Sequence, residues 1–84
     1  LIKHFNHCYP KNSLMKRLVI LGAGESGRGA AILAKNKGYD VFISDAGSVP
    51  LASKSLFEDL GVTYEENHHS LETVLTADIV VKSP

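Results

Sequence analysis

The sequence lacks several features that would point to particular classes of protein. Its 84 residues contain no tryptophan and a single cysteine, Cys8, so an intramolecular disulfide framework is excluded. No apolar run approaches the roughly 18 residues of a membrane-spanning helix. The first residues also lack the apolar centre of a signal peptide. These absences favour a reducing, cytoplasmic setting.

The chain has no net charge with which to attract a partner. Nine basic and nine acidic side chains cancel, so no basic field gathers nucleic acid or an anionic membrane. An anionic ligand would have to be held by local geometry instead. The length leaves room for one small domain with a modest core, which weakens any interpretation as a complete multi-substrate enzyme.

Residues 1–14 differ in composition from the rest of the chain. LIKHFNHCYPKNSL has neither a helical nor an alternating pattern, whereas Met15 and the two bases after it lead directly into an apolar run. That is typical of the natural start of a domain. We therefore interpret residues 1–14 as an arm outside the fold, disordered or not native to it, and residues 15–84 as the folded domain.

Beyond Met15, short apolar segments alternate with segments that favour helix. Strands are predicted by their apolar character at residues 18–21, 40–45, 62–65 and 77–82. Helices are predicted to end at Gly38 and Gly61, and Ser70 is a suitable N-cap for a third. The apolar positions of that third helix are Leu71, Val74 and Leu75.

This βαβαβαβ order with short connections predicts the fold class. Parallel strands need crossover connections, and such crossovers are right-handed in nearly all proteins. We expect an α/β domain with a Rossmann-like, doubly wound parallel sheet of about four strands and helices on both faces.

A glycine-rich loop follows the first predicted strand. GAGESG, which begins at Gly22, matches G-x-G-x-x-G, and it opens a helix within a βαβ unit, the context that gives the motif meaning. Gly22 permits a tight turn, Gly24 lets a phosphate approach the backbone, and Gly27 lets the helix pack closely. The alternative is that these glycines serve only the packing of strand against helix.

The predicted start of this helix is a candidate anion site. The backbone amides of Glu25, Ser26 and Gly27 would point at a ligand and act together with the helix dipole, and Ser26 adds a hydroxyl donor. The Glu25 carboxylate is favourable toward the dipole and can point into solvent, so we assign it no catalytic role. No lysine of an ATP-hydrolysing P-loop follows the glycines.

Two further polar residues are predicted at the same carboxyl edge of the sheet. Asp45 closes the second strand, 21 residues after Gly24, a position that reaches the ribose or base in a dinucleotide fold. Its alternative role is that of a turn residue that caps the Asp-Ala-Gly loop. Ser83 follows the fourth strand and is either a ligand contact or a plain loop serine.

The histidines give no recognisable metal or catalytic pattern. His4, His7 and Cys8 match no structural zinc spacing and lack a fourth ligand. His68 and His69 are adjacent, and we interpret them as surface loop histidines. Since no Ser-His-Asp signature is present either, the sequence predicts no metal site and no catalytic residue.

Several segments together resemble a known family. MKRLVILGAGESGRGAAILAKNKGYDVFISDAG, with VTYEENHHS and ADIVVKSP, resembles the N-terminal domain of bacterial Mur ligases over residues 15–84. Within that family it is most similar to the ligases that join D-glutamate to UDP-N-acetylmuramoyl-L-alanine. The resemblance implies a Rossmann-like sheet that holds the UDP of this nucleotide-sugar substrate rather than NAD.

The resemblance also implies a role for each site residue. The glycine loop would lie on the diphosphate, Asp45 would recognise the uracil with the backbone of the two residues after it, and Ser83 would contact the nucleotide. The complete set of implied UDP contacts is Gly22, Gly24, Glu25, Ser26, Gly27, Asp45, Ala46, Gly47 and Ser83.

For the full-length protein, the resemblance implies an ATP-dependent, amide-bond-forming ligase of peptidoglycan synthesis, and thus of cell shape and division. ATP and Mg²⁺ would bind in other domains, so we expect no cofactor in this chain and no activity from it alone. A further family strand would follow Pro84. We expect no nucleic-acid or membrane partner, and we consider self-association through an open sheet edge.

Two other interpretations remain open at this stage. The glycine loop and the acidic strand end suit an NAD(P)-binding Rossmann module of a dehydrogenase or regulatory protein about equally well. A structural fragment that binds neither nucleotide is the third interpretation.

Overall fold

The centre of the structure is a parallel sheet. The computed structural model describes the backbone of residues 2–4 and residues 16–82. The elements are β1 (Ile2–His4), β2 (Arg17–Leu21), α1 (Glu25–Asn36), β3 (Asp40–Ser44), α2 (Leu51–Leu60), β4 (Thr63–Glu65), α3 (Leu71–Leu75) and β5 (Ile79–Lys82). The predicted α/β fold with four parallel strands and flanking helices is confirmed.

The strand order creates a reversal at the middle of the sheet. The order is β1-β5-β2-β3-β4, and β2 pairs in parallel with both β3 and β5. The chain therefore proceeds outward from β2 to β4 and then returns to the other side of β2. Leu21 at the end of β2 is in register with Ser44 and Lys82. Open α/β sheets bind ligands at this kind of reversal, at the carboxyl ends of the strands.

Helices cover both faces of the sheet because the central strands are apolar on both faces. On one face, α1 and α2 pack over Ile20 and Ile43, with Phe57 of α2 fully buried among them. On the other face, Val74 of α3 packs against a smaller cluster around Val19. No helix in the described ranges is long and apolar enough to cross a membrane.

Helix α3 differs from its predicted packing. Val74 is packed against the sheet, whereas Leu71 and Leu75 are 68% and 67% exposed. The helix has only five residues, so it does not present a continuous face to the sheet. Ser70 occupies the predicted N-cap position but makes no side-chain cap hydrogen bond. Its backbone amide donates to the Glu65 carboxylate at 2.6 Å instead.

The N-terminal segment also differs from the prediction. Residues 2–4 were expected to lie in an arm outside the fold, but they form β1, which pairs antiparallel with β5. The outer edge of β5 offers backbone hydrogen bonds to any extended chain that reaches it. Because such pairing does not depend on side chains, the sequence of three residues does not reveal it. Residues 5–14, with the predicted arm around His7 and Cys8, lie outside the described residues. Self-association through a sheet edge stays a prediction.

Candidate functional site

The glycine loop leaves β2 in a tight turn. Gly22 has a φ of 111°, a backbone conformation that favours glycine over every residue with a side chain. Its amide donates to the Ser44 carbonyl at 2.9 Å, so the turn remains tied to the end of β3. The tight turn predicted at Gly22 is therefore observed.

Gly27 and Gly24 serve different purposes. A Cβ on Gly27 would lie 2.1 Å from the Gly22 carbonyl oxygen, so α1 can approach the turn only because this residue is glycine. A Cβ on Gly24 would meet nothing within 4 Å. Packing therefore explains Gly27 but not Gly24, whose missing side chain leaves open space above the loop.

That open space lies at the start of α1. The helix begins at Glu25, and its N-cap Gly24 makes no side-chain cap hydrogen bond. The first backbone amide that bonds back along the chain is that of Arg28, which donates to the Gly24 carbonyl at 2.9 Å. The amides of Glu25, Ser26 and Gly27 therefore have no acceptor within the helix, the arrangement that favours anions at the start of a helix.

Asp45 connects the end of β3 to the glycine loop. Its Oδ2 accepts a hydrogen bond from the Ala23 amide and its Oδ1 accepts one from the Gly47 amide, each at 2.8 Å. The turn-capping role considered for this residue is thus observed. Each carboxylate oxygen has a second lone pair, so both bonds leave Asp45 able to accept from a ligand.

A cleft of about 360 Å³ opens at this edge of the sheet, within the size range of small-molecule sites. Its lining residues are Leu21, Gly22, Asp45, Ala46, His69 and Lys82. The structure thus gathers the glycine turn and the Asp45 loop around one space, with exposed Gly47 beside it. Ser83 lies outside the described residues. A second cleft of about 320 Å³, between α1 and β5, is mainly apolar and lies away from this edge.

A polar network behind the cleft was missed by sequence reasoning. Ser44 is fully buried, and its Oγ lies 2.7 Å from Glu65 Oε2 and 2.6 Å from His69 Nδ1. His68 Nε2 lies 3.1 Å from the other Glu65 oxygen. His69 is an exposed loop residue, as predicted, but its bond to Ser44 and its place in the lining of the cleft were not predicted. The sequence did contain one indication of this position, since the loop of His69 follows a predicted strand and so lies at the carboxyl edge of the sheet.

This network lowers the pKa of Glu65. Burial desolvates the carboxylate and by itself would raise the pKa. Hydrogen bonds from the Ser44 hydroxyl and the Ser70 amide, with His68 and His69 nearby, outweigh that effect and lower the pKa below its ordinary value of 4.5. Glu65 is therefore an ionised acceptor at neutral pH.

Two other groups of contacts hold the loops in place. Arg28 Nη1 donates to Ser53 Oγ at 2.9 Å, and the Ser53 hydroxyl donates to the Ala23 carbonyl in the glycine loop. On the Asp45 side, the Val49 amide donates to Glu66 at 2.9 Å. That bond, with the Lys54 ammonium 3.1 Å away, lowers the pKa of Glu66. Sequence reasoning singled out none of these residues.

Metal binding finds no support in residues 16–82. No group of three or more His, Cys, Asp or Glu side chains in this range is arranged to hold an ion. The side chain of His4, like His7 and Cys8, lies outside what the structure describes.

The contact between Gly27 and the turn gives a stability prediction. We expect Gly27→Ala to lower the free energy of unfolding by about 1–3 kcal/mol, because the new methyl group must displace the Gly22 carbonyl. Gly29→Ala is the matched control in the same helix, since a Cβ there meets nothing within 4 Å. It should stabilise the fold by about 0.5–1 kcal/mol. Urea denaturation measures both, and equal effects would contradict the close approach.

The lowered pKa of Glu65 gives a pH prediction. Its folded pKa lies below its ordinary value of 4.5, so its stabilisation is complete above that value and is lost as pH falls through the folded pKa. We expect Glu65→Gln to be less stable than the wild type near pH 7 in urea denaturation, with the difference shrinking as the pH falls below 4.5. Glu58→Gln, which alters an exposed carboxylate on α2, is the control. A difference that does not change with pH would show that Glu65 is not held as an ionised acceptor.

Comparisons with known proteins agree with this geometry. The family model for the MurD N-terminal domain matches residues 17–84. The chain is 54% identical over 70 residues to the UDP-N-acetylmuramoylalanine--D-glutamate ligase of Bacteroides fragilis, a match that covers 83% of this chain and 16% of that ligase. The corresponding figures are 53% over 70 residues for the ligase of the same name from Bacteroides thetaiotaomicron, with the same coverage. The Cytophaga hutchinsonii ligase is 45% identical over 71 residues, which cover 84% of this chain and 16% of that ligase.

No solved structure matches the chain significantly. The chain spans 16% of the length of these relatives. The family model nevertheless covers most of the residues, and it confirms the resemblance to Mur ligases drawn from the sequence. The chain belongs to the MurD N-terminal domain family.

Proposed function

We propose that this chain binds the UDP moiety of UDP-N-acetylmuramoyl-L-alanine at the carboxyl edge of its sheet. The observation that carries the proposal is the open space at Gly24, where a Cβ would meet nothing within 4 Å. Gly24 is the N-cap residue of α1, directly before the amides that have no acceptor within the helix. A phosphate bound at a helix start needs a residue without a side chain beside it, and packing gives no other reason for glycine at this position.

The diphosphate would accept hydrogen bonds from the amides of Glu25, Ser26 and Gly27, with Gly22 and Gly24 allowing its approach. Because these donors are backbone groups, the site needs no excess of basic side chains, which is consistent with a net charge of zero. The Ser26 side chain is exposed and can add its hydroxyl as a further donor.

The uracil would lie at the other end of the cleft, near Asp45. The bonds from Ala23 and Gly47 fix the orientation of this carboxylate, and its remaining lone pairs can accept a base N–H. Ala46 lines the cleft, and the backbone of Ala46 and Gly47 would complete the contacts. Ser83 is included in the proposed site on the resemblance alone.

For the whole protein, we infer an ATP-dependent ligase that joins D-glutamate to the bound nucleotide in the cytoplasm, during peptidoglycan synthesis. The names of the relatives support this inference. ATP and Mg²⁺ would bind outside this chain, whose glycine loop is followed by Arg28 and Gly29 rather than by the Lys and Ser or Thr of a P-loop. The chain alone is therefore expected to be inactive, and ATP-dependent ligation by it would overturn that part of the proposal.

Thermal unfolding of the chain with UDP or NAD tests the binding proposal. UDP at about 100 times its Kd should stabilise the fold by about 2.7 kcal/mol, and NAD should have no effect. Stabilisation by NAD alone would establish the alternative, a NAD-binding Rossmann module. No shift with either nucleotide would indicate a fragment that binds neither.

A pair of glycine variants tests the place of binding. Gly24→Ala puts a methyl group in the space proposed for the phosphate, so we expect it to abolish the stabilisation by UDP. Gly29→Ala adds the same methyl group to an equally open position in α1 and should retain it. Each variant is compared with its own ligand-free state, which removes any effect of the alanine on the helix itself. Retained UDP binding in Gly24→Ala would contradict the proposed phosphate position.

A further inference from the structure

The network behind the cleft determines which nitrogen of His69 carries its proton. The Ser44 hydroxyl has one hydrogen to donate, and its Oγ lies within hydrogen-bond distance of both Glu65 Oε2 (2.7 Å) and His69 Nδ1 (2.6 Å). Glu65 is ionised and can only accept. If Ser44 donated to His69, its oxygen would face the carboxylate oxygen at 2.7 Å with no proton between them. The hydroxyl therefore donates to Glu65, and His69 Nδ1 donates to Ser44.

A third contact of Ser44 does not alter this assignment. The His68 carbonyl lies 3.4 Å from Ser44 Oγ, farther than the Glu65 carboxylate and without its charge. Hydrogen bonds to an ionised acceptor are the shorter and stronger ones. The order of donation is thus His69 to Ser44 to Glu65, which leaves the Nε2 of neutral His69 as an acceptor.

We propose that His69 is a specificity-determining residue of the cleft, whose Nε2 accepts a hydrogen bond from an N–H or O–H group on the nucleoside of the ligand. This inference rests on the proposed function, since it takes the ligand to be a nucleoside diphosphate. His69 lines the same cleft as Asp45 and Ala46, which are the residues proposed to contact the base. Ser44 and Glu65 act through His69 as positioning residues.

The chemistry of the acceptor distinguishes the nucleoside from the diphosphate. A neutral Nε2 cannot bond to phosphate oxygens, which are themselves acceptors, but it can accept from a base N–H or a ribose hydroxyl. The groups that face His69 are Ser44 and Glu65, with the neighbouring His68 on its own loop and with Asp45 and Lys82 across the cleft. Protonation of His69 would place a hydrogen on Nε2 and remove the acceptor.

The proton position can be measured without any ligand. In ¹⁵N NMR spectra of the histidine-labelled chain at a pH where His69 is neutral, we expect Nδ1 to carry the proton and Nε2 to show the shift of an unprotonated nitrogen. Ser44→Ala should release this preference, and Glu65→Gln should weaken it if the buried alanine variant does not fold. A neutral His69 with its proton on Nε2 in the wild-type chain would overturn the proposal.

Calorimetric titration with UDP tests the contact itself. Under conditions in which His69 is neutral, we expect His69→Ala to bind UDP about three- to tenfold more weakly than the wild type does. This is the usual effect of losing one hydrogen bond. His69→Gln, whose amide oxygen can accept in a similar place, should recover most of the affinity. Glu58→Ala is the control, because Glu58 is exposed on α2 and is neither part of this network nor among the lining residues of the cleft.

The outcomes separate this inference from the proposed function. If UDP binds and His69→Ala binds it as tightly as the wild type, the inference is overturned while the proposed function stands. If the wild-type chain does not bind UDP, both are overturned, even where the NMR spectra show the expected proton position. The inference is supported only when the proton lies on Nδ1 and the affinity falls in His69→Ala.

Discussion

The site depends on one close approach, that of α1 to the turn after β2. Gly27 lies so near the Gly22 carbonyl oxygen that a Cβ would come within 2.1 Å of it. This approach holds the first amides of α1 beside the turn that leaves β2. The Asp45 carboxylate then ties the same loop to β3 through the Ala23 amide. Backbone geometry, more than any single side chain, thus shapes the proposed phosphate site.

The two ends of the proposed site differ in chemistry. At one end, the proposed donors are the backbone amides at the start of α1, next to the Gly22 turn that lines the cleft; they do not require net charge. On the opposite side, Asp45 and His69 present side-chain acceptors, and Glu65 supports His69 through buried Ser44. A nucleoside diphosphate bound as proposed would meet donors at its phosphate end and acceptors at its nucleoside end.

Local patterns predicted the fold and the glycine loop, because short apolar runs and the glycine spacing act on neighbouring residues. The position of Asp45 at the carboxyl edge of the sheet was predicted as well, since it directly follows the apolar segment of a predicted strand. Three features were not predicted. β1 adds to the sheet through backbone hydrogen bonds, and Leu75 is exposed because α3 is so short. His69 reaches the cleft region through its bond to Ser44, 25 positions earlier in the chain.

The most direct measurement of the central claim is a titration of the ¹⁵N-labelled chain with UDP, followed through its backbone amide resonances. If backbone amides at the strand reversal hold the diphosphate, the largest shifts will occur at Gly24 to Gly27, with further shifts from Asp45 to Gly47. Residues of the apolar cleft between α1 and β5, such as Leu33 and Tyr39, will remain unchanged. Shifts that concentrate in that cleft, or the absence of shifts in the glycine loop, would contradict the claim.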